Sequence, residues 1–273
     1  MTEKIRSGGL SGSTLKIIAI ITMLIDHFGL AIWYRLPQMG YLVPEVMTTE
    51  TWLFIYRCMR NIGRTAFPIY CFLLVEGLFW TSNRLKYVVR LFVFAFLSEF
   101  PFKLAFLGFG VGTNVFFTLS LGLSAIAIME AVGKGLDRRR LIATEKTVDR
   151  RRLSGADEPA EKRGFLLTGS LILISVVARL SILAIFGWVA WRLNTDYDWR
   201  GIMLIGILYF LRPSRLMALT AGYLSYLWEA FCLPGFILLW FYNGKRGIRL
   251  KYLFYTIYPL HLTLFYVIWK YLL

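Results

Sequence analysis

Long apolar runs separated by short polar connections make up most of this 273-residue chain. Several runs approach the roughly 20 residues that a helix needs to cross the hydrocarbon core of a bilayer. The pattern predicts an all-α, polytopic integral membrane bundle with about nine transmembrane helices, some of them short or broken. The predicted apolar segments are 15–34, 52–62 leading into 63–81, 87–107, a helix from 114, 165–191, 201–211, 216–232, 234–242 and 250–272.

The polar stretches divide the chain without separating it into independent domains. We expect a cytoplasmic tail at 1–14, a first part of the bundle at 15–132, a flexible basic cytoplasmic loop at 133–164 and a second part of the bundle at 165–273. With the N-terminus inside, the predicted crossings place every strongly basic connection on the cytoplasmic face, which is the positive-inside pattern. The expected location is the inner (plasma) membrane.

Composition supports the membrane assignment. Apolar residues make up 58% of the chain and charged residues only 17%, and soluble domains rarely reach that apolar share. The net charge of +15 would also suit a nucleic-acid partner, but the basic residues collect in connections on one side, so lipid headgroups are the expected partners and nucleic acid is not. Cys58, Cys71 and Cys232 lack metal or redox spacing and are predicted to be packing residues.

The first predicted span carries two ionisable side chains near its middle, Asp26 and His27. Such groups cost about 2.5–3.5 kcal/mol each on insertion scales, which makes them functional candidates. Lys16 precedes His27 by three helical turns and lies on nearly the same face, about 16 Å away along the axis. A cation at the membrane surface below a buried imidazole suits an anionic co-substrate that enters from one side. The alternative is that His27 is only a packed, hydrogen-bonded residue.

The second histidine, His261, also falls inside an apolar span. No acidic or cysteine ligands accompany it at helical spacing, so no metal is predicted. A histidine next to a carboxylate is the usual makeup of a general base, with the acid fixing the tautomer. Because adjacent helical residues point about 100° apart, the alternative is that Asp26 serves another helix.

Basic residues occur in two further patterns. Arg57, Arg60 and Arg64 share one helical face on the presumed outer side, where they are expected to line a wet cavity or pair with acids. The turn at 243–247 combines two glycines with Lys245 and Arg246, and its backbone amides are candidates for binding a phosphate. The alternative for this turn is ordinary topology and lipid contact.

Blocks along most of the chain resemble the TraX family, except that 133–164 has no counterpart there. The matching blocks are Lys16-Ile-Ile-Ala with Met23-Leu-Ile-Asp26-His27; Ile62-Gly-Arg64-Thr-Ala-Phe-Pro68, Val75-Glu76-Gly77 and Ser98-Glu99-Phe-Pro101; Asn114-Val-Phe-Phe-Thr-Leu-Ser-Leu-Gly122; Tyr197-Asp198 with Gly201; and Asn243-Gly-Lys-Arg-Gly247 with Phe254-Tyr-Thr-Ile-Tyr-Pro259-Leu-His261.

This family is named for a conjugation protein that acetylates the N-terminus of pilin. It resembles, more distantly, transmembrane acyltransferases whose first helix carries an Arg or Lys, ten residues, and then a His, as Lys16 and His27 do. The resemblance implies that cytosolic acetyl-CoA acylates an acceptor within or across the membrane. The expected acceptor is a peptide or pilin-like amine, or a glycan hydroxyl.

On this hypothesis His27 is the general base, or a transient acyl carrier, and Asp26 orients it. The developing oxyanion is expected to be stabilised by Arg64, Asn114 or His261. The phosphates of acetyl-CoA are expected near Lys16, Lys245 and Arg246.

Two other classes of function stay open at this point. One is a proton-coupled transporter whose pathway uses intramembrane ionisable groups, for which the absence of an inverted repeat is unfavourable. The other is a non-catalytic component of a secretion or conjugation machinery. The pathway residues of the transporter hypothesis are Asp26, Glu76, Glu99, Arg179 and His261.

Overall fold

A computed structural model describes residues 8–40, 47–154, 158–248 and 251–273, and these ranges are helical, with two isolated backbone bridges and no strand. The all-α prediction is therefore confirmed. The helices are α1 Gly12–Ala31, α2 Thr49–Gly63, α3 Ala66–Trp80, α4 Arg84–Ala105, α5 Val115–Ser154, α6 Glu158–Arg192, α7 Asp198–Phe210, α8 Arg215–Ser225, α9 Leu233–Trp240 and α10 Lys251–Val267, with 3₁₀ segments Trp33–Met39 and Leu227–Cys232 and a final π turn Ile268–Leu272.

Four helical segments of the described residues are long and apolar enough to cross a membrane. They are Gly12–Met39, Thr49–Trp80, Val115–Ile142 and Thr168–Arg192. Helices α7, α8 and α9, with 13, 11 and 8 residues, are shorter than one simple crossing. The multi-span helical bundle is thus established, and the total of nine crossings stays a prediction.

Helix α3 forms the centre of the bundle. It is apolar all round and buries ten of its fifteen residues, as expected of a helix surrounded by others. It packs against α1, α5, α7 and α9. Cys71 on α3 and Cys232 are buried as free thiols, and Cys58 is partly exposed, so a packing role fits the two buried cysteines.

The bundle has two chemically different ends. We call the "basic end" the one that holds the start of α1 and the connections α3–α4, α7–α8 and α9–α10, with Arg84, Arg212 and Arg246 among its residues. The "opposite end" holds the connections α4–α5 and α6–α7, which are joined by a hydrogen bond from the Thr113 amide to the Asn194 carbonyl (2.9 Å). These two connections of the opposite end contain no Lys or Arg.

The turn at 243–247 fastens the start of α1 to the α9–α10 connection. The amides of Gly12 and Ser13 donate to the carbonyls of Lys245 (2.8 Å) and Arg246 (2.9 Å). Gly247 has a left-handed φ of 72°, and a side chain there would collide with Ser13 Oγ. The glycine is required by this close approach. Arg249, which follows the turn, lies outside the described residues.

The segment 133–164, expected to be a flexible loop, is largely helical. Helix α5 continues to Ser154, α6 begins at Glu158, and the two helices pack along one another. The segment is rich in Ala, Leu, Arg, Lys and Glu, which favour helix, and mixed charge alone does not prevent helix formation. Residues 155–157 of this segment and 1–7 of the predicted tail lie outside the described residues.

The helix expected at 216–232 is broken. Helix α8 ends at Ser225, and Glu229 has non-helical angles (φ −118°, ψ 59°) within the 3₁₀ segment that follows. The break aims the Glu229 carboxylate at Arg64, with Oε2 3.0 Å from Nε. A partly buried ion pair thus accompanies the break in the predicted helix.

Asn114 caps α5 and ties it to α4. Its side-chain amide donates to the carbonyl of Ala95 (2.8 Å) and to Glu99 Oε2 (2.7 Å), while its Oδ1 accepts from the Phe116 amide (3.0 Å). The residue is fully buried. Every polar atom of this side chain is therefore used in holding two helices together.

We predict that Asn114→Ala lowers the free energy of unfolding by about 1–3 kcal/mol, because it removes a cap and leaves Glu99 Oε2 with only the backbone amide of residue 114 as a partner. Thermal unfolding in detergent measures the change. The matched control is Asn83→Ala, which removes the exposed cap of α4 (2.8 Å to the Lys86 amide) and leaves no buried group unpaired. Equal losses in the two variants would contradict the structural role given to Asn114.

Candidate functional site

The two histidines of the chain meet between α1 and α10. His27 Nδ1 lies 2.7 Å from His261 Nε2, and His261 Nδ1 lies 2.8 Å from the carbonyl oxygen of Ile257. A carbonyl oxygen only accepts, so His261 Nδ1 carries the proton and, in the neutral ring, Nε2 accepts. His27 Nδ1 therefore donates, and His27 Nε2 keeps a free lone pair. This is the tautomer that a general base requires.

Aromatic rings hold the His27 ring in place without sealing it. Phe106 and Tyr258 contact it edge to face, with ring centroids 5.2 and 5.8 Å away. His27 remains partly exposed and lines a cavity, whereas His261 is only 6% exposed. The imidazole of His27 is therefore accessible, and His261 is its buried support.

The cavity beside His27, here called the outer cavity, lies towards the opposite end of the bundle and has a volume of about 90 Å³. It is lined by residues of α1, of the α2–α3 junction and of the α6–α7 connection. Arg60 pairs with Asp26 (2.8 Å), and Arg64 with Glu229. The charged residues of its wall are Asp26, Arg60, Arg64 and Asp196.

Asp26 does not orient His27. Its Oδ2 accepts from Arg60 Nη1, while its buried Oδ1 has no hydrogen-bond partner. The side chain that orients the His27 ring is His261, which is hydrogen-bonded to it, and not Asp26 as expected. Adjacent residues on α1 point in different directions, so Asp26 serves α2. Gly63 permits this pairing, since a Cβ there would collide with the Asp26 side chain.

A second, larger cavity opens at the basic end. This donor-side cavity has a volume of about 510 Å³ and is lined by apolar and aromatic side chains with a basic mouth. Lys16 Nζ lies 5.1 Å from the centroid of the Phe254 ring, and Arg246 donates to the Trp80 carbonyl (2.9 Å). The basic side chains that line it are Lys16, Arg90 and Arg246.

The two cavities meet inside the bundle. Four residues line both of them: Met23, Tyr70, Val115 and Tyr258. Helix α1 runs from Lys16 in the donor-side cavity to His27 in the outer cavity, as the helical spacing predicts. A path from the basic mouth to the imidazole would cross these four residues.

Not every predicted site residue lies on this path. Arg64 and His27 line the outer cavity, and Lys16 and Arg246 line the donor-side cavity. Lys245 is exposed on the turn and lines neither cavity. Asn114 also lines neither cavity, and its amide is fully used in capping, so the geometry offers it no oxyanion to stabilise.

The transporter residues are distributed among separate partners. Glu76 pairs with Arg212 (2.7 Å), Glu99 with Asn114, and Asp26 with Arg60. Among the described residues, no group of three or more His, Cys, Asp and Glu side chains is arranged to hold a metal ion. Asp26, Glu76 and Glu99 therefore form individual interhelical ties, each with its own partner.

Sequence reasoning missed Asp196, Tyr197 and Glu229 as neighbours of the arginines. The Tyr197 ring stacks on Phe67 of α3 with centroids 3.5 Å apart, which brings the α6–α7 connection over the outer cavity. The sequence did indicate that acidic residues lie near Arg60 and Arg64, since these arginines were expected to pair with acids. It did not specify which acids, because the partners come from distant connections.

Asp196 lies outside the predicted membrane spans, in the mouth of the outer cavity. Its side chain is exposed there but crowded by protein. Desolvation raises the pKa of Asp196 to about 6, although Arg64 and Arg60 act in the opposite direction. The carboxylate thus becomes charged only above mildly acidic pH.

We predict that the free energy of unfolding of Asp196→Asn increases relative to that of the wild type as pH rises from about 4 to about 6. The folded-state pKa of Asp196 lies above its ordinary value of 3.8, so the folded wild type binds the proton more tightly and loses stability as pH rises through this window. The asparagine variant has no proton to lose. Melting temperatures at pH 4, 5, 6 and 7 measure this difference, and a difference that is constant with pH would contradict the raised pKa.

The family model described as TraX protein matches residues 11–145, from the start of α1 into α5. A probable fimbrial assembly protein FimC, serogroup H1, from Dichelobacter nodosus is 28% identical over 284 residues, covering 95% of this chain and 96% of that relative. No solved structure matches the chain. The resemblance seen in the motifs is confirmed: the TraX family model covers the part of this chain that includes Lys16, Asp26, His27 and Arg64.

Proposed function

We propose that this chain is a membrane acetyltransferase that moves an acetyl group from cytosolic acetyl-CoA to an acceptor in or across the membrane. One observation carries the proposal: an accessible imidazole with a free Nε2 lines a small cavity that shares four lining residues with a basic-mouthed cavity from the other end of the bundle. A general base needs both the correct tautomer and access to two reactants.

Acetyl-CoA enters from the basic end, which the positive-inside rule assigns to the cytoplasm. Lys16, Arg90 and Arg246 supply positive charge for its phosphates at the cavity mouth. The aromatic walls then accommodate the pantetheine arm, and the thioester approaches the junction with the outer cavity. Lys245 contributes through its backbone carbonyl, which holds α1 in place, rather than through its ammonium group.

In the transfer step, His27 Nε2 takes the proton from the acceptor amine or hydroxyl as the acceptor attacks the thioester carbon. The new C–N or C–O bond forms, and the carbonyl pair moves onto oxygen. When the oxyanion collapses, the C–S bond breaks and the thiolate of CoA takes the proton from His27. The Arg64 guanidinium, in the wall of the same cavity, is the candidate for stabilising the oxyanion.

His261 acts as the positioning residue of His27. It holds the His27 ring in the productive tautomer, as a carboxylate does in hydrolase triads. Because His261 is itself held by the Ile257 carbonyl, the chain of hydrogen bonds has a defined direction. His261 therefore supports the base instead of contacting the oxyanion.

The acceptor is proposed to be a fimbrial or pilin-like subunit presented at the outer cavity. The name of the Dichelobacter nodosus relative, a probable fimbrial assembly protein that aligns along almost the whole chain, supports this class of acceptor. A peptide amine suits a cavity whose walls include Asp196 and Asp26. A glycan hydroxyl is the competing outcome, and analysis of the acylated product separates the amide from the ester.

We predict that His27→Ala lowers the rate at which radiolabelled acetyl is transferred from acetyl-CoA in isolated membranes by a factor of about 10²–10⁴. Among the described residues, His27 is the only imidazole with a nitrogen lone pair that is not engaged in a hydrogen bond, and the change removes it. The control is Ile21→Ala on an exposed face of the same helix, which should transfer at the wild-type rate. Wild-type turnover by the His27 variant would remove the mechanism.

We predict that His261→Ala lowers kcat on the order of 10²-fold with little change in the KM for acetyl-CoA, since it frees the His27 ring to adopt the other tautomer. His261→Gln retains an acceptor for His27 Nδ1 and should recover part of the loss. Steady-state kinetics on both variants test this difference. Identical defects in the alanine and glutamine variants would indicate that His261 only fills space.

A further inference from the structure

Met23 occupies the part of the path that immediately precedes His27. It lies four residues earlier on α1, which places it on the same helical face and about 6 Å nearer the basic end. It is only 7% exposed. A group moving from the donor-side cavity towards His27 would therefore pass close to this side chain.

The narrow junction of the two cavities is built around Met23. Besides Met23, it consists of Tyr70, Val115 and Tyr258, and the Tyr70 hydroxyl lies 3.9 Å from Met23 Sδ. The donor-side cavity of about 510 Å³ adjoins here an outer cavity of only about 90 Å³. Space thus decreases sharply at this residue.

From this geometry we infer that Met23 limits the size of the acyl group that reaches His27, and so selects acetyl over longer acyl chains. The inference rests on the proposed acyl transfer and adds its substrate class. Methionine is unbranched and has three rotatable side-chain bonds, so it yields to a two-carbon acyl group. A longer chain has to displace the rings of Tyr70 and Tyr258 as well, and both are held between helices.

The first test compares acetyl-CoA with butanoyl-CoA as donors in membranes that contain the wild type or Met23→Ala. We expect the ratio of kcat/KM for butanoyl over acetyl to rise at least about 10-fold in the variant, a typical value for added methylenes in an apolar pocket. The matched control is Met129→Ala, a fully buried methionine on α5 that lines neither cavity. An unchanged ratio in Met23→Ala, or the same rise in Met129→Ala, would overturn the inference.

A second test does not depend on catalysis. Ala66 lines the outer cavity, and Ala66→Cys in a chain whose three native cysteines are serines reports access to that cavity. Inverted vesicles expose the basic end to a small membrane-impermeant methanethiosulfonate. Labelling is expected to be several-fold faster with Met23→Ala than with Met23 or with Met129→Ala.

The two tests separate the two proposals. Absence of acyl transfer by the wild type with either donor would overturn the proposed function, and the labelling rates would still decide whether Met23 restricts the path. Transfer by the wild type with equal labelling rates in all three chains would overturn the inference about Met23 alone.

Discussion

The hydrogen bond between His27 and His261 is the interaction on which the arrangement of the site depends. It joins α1 to α10 across 234 positions of sequence, and the backbone bonds from Gly12 and Ser13 join the start of α1 to the segment just before α10. Helix α1 is thus fastened at two heights to the same part of the chain. The rotation of α1 about its axis is thereby fixed, and this rotation directs Lys16 into the donor-side cavity and His27 into the outer cavity.

Buried charge reinforces this framework because an unpaired charge in an apolar bundle is costly. The pair of Arg60 with Asp26 joins α2 to α1, the pair of Arg64 with Glu229 joins the α2–α3 junction to the segment after α8, and Arg212 with Glu76 joins the α7–α8 connection to α3. Each pair connects elements that are distant in sequence. Such ion pairs fix the separation of the helices that form the cavity walls. Apolar packing alone fixes this separation less specifically.

Much of this fold follows from the sequence. Runs of about 20 apolar residues predicted the helices, and the i, i+3 and i+7 spacing of three arginines predicted side chains at a polar cavity or in ion pairs. Arg60 and Arg64 confirm this prediction, whereas Arg57 is exposed and lines neither cavity. The alignment of Lys16 with His27 followed from helical geometry within one element. These predictions succeed because they depend on local periodicity. They required no knowledge of which helices are neighbours.

Contacts between distant segments were not predictable in the same way. Nothing in the sequence near Asp26 specifies Arg60 in place of His27, and nothing near Glu229 predicts that a helix breaks to reach Arg64. By residue type, Asn114 is a candidate donor to an oxyanion, but its position at the start of α5 gives it a capping role. The helical course of most of 133–164 also differs from the prediction, because mixed charge is typical of flexible segments while the residues themselves favour helix.

The division of the path into a large cavity and a small one bears on how a membrane protein combines transfer with a barrier. Under the proposed function, CoA remains in the donor-side cavity and only its acyl end reaches the junction, while the acceptor needs to insert only its reactive end into the outer cavity. No open channel is then required, because neither substrate crosses the bilayer completely. The junction of Met23, Tyr70, Val115 and Tyr258 suits this requirement: it is apolar enough to exclude ions and lies next to the one imidazole that both reactants must approach. Selection of a short acyl group and maintenance of the membrane seal are therefore consequences of the same narrow segment.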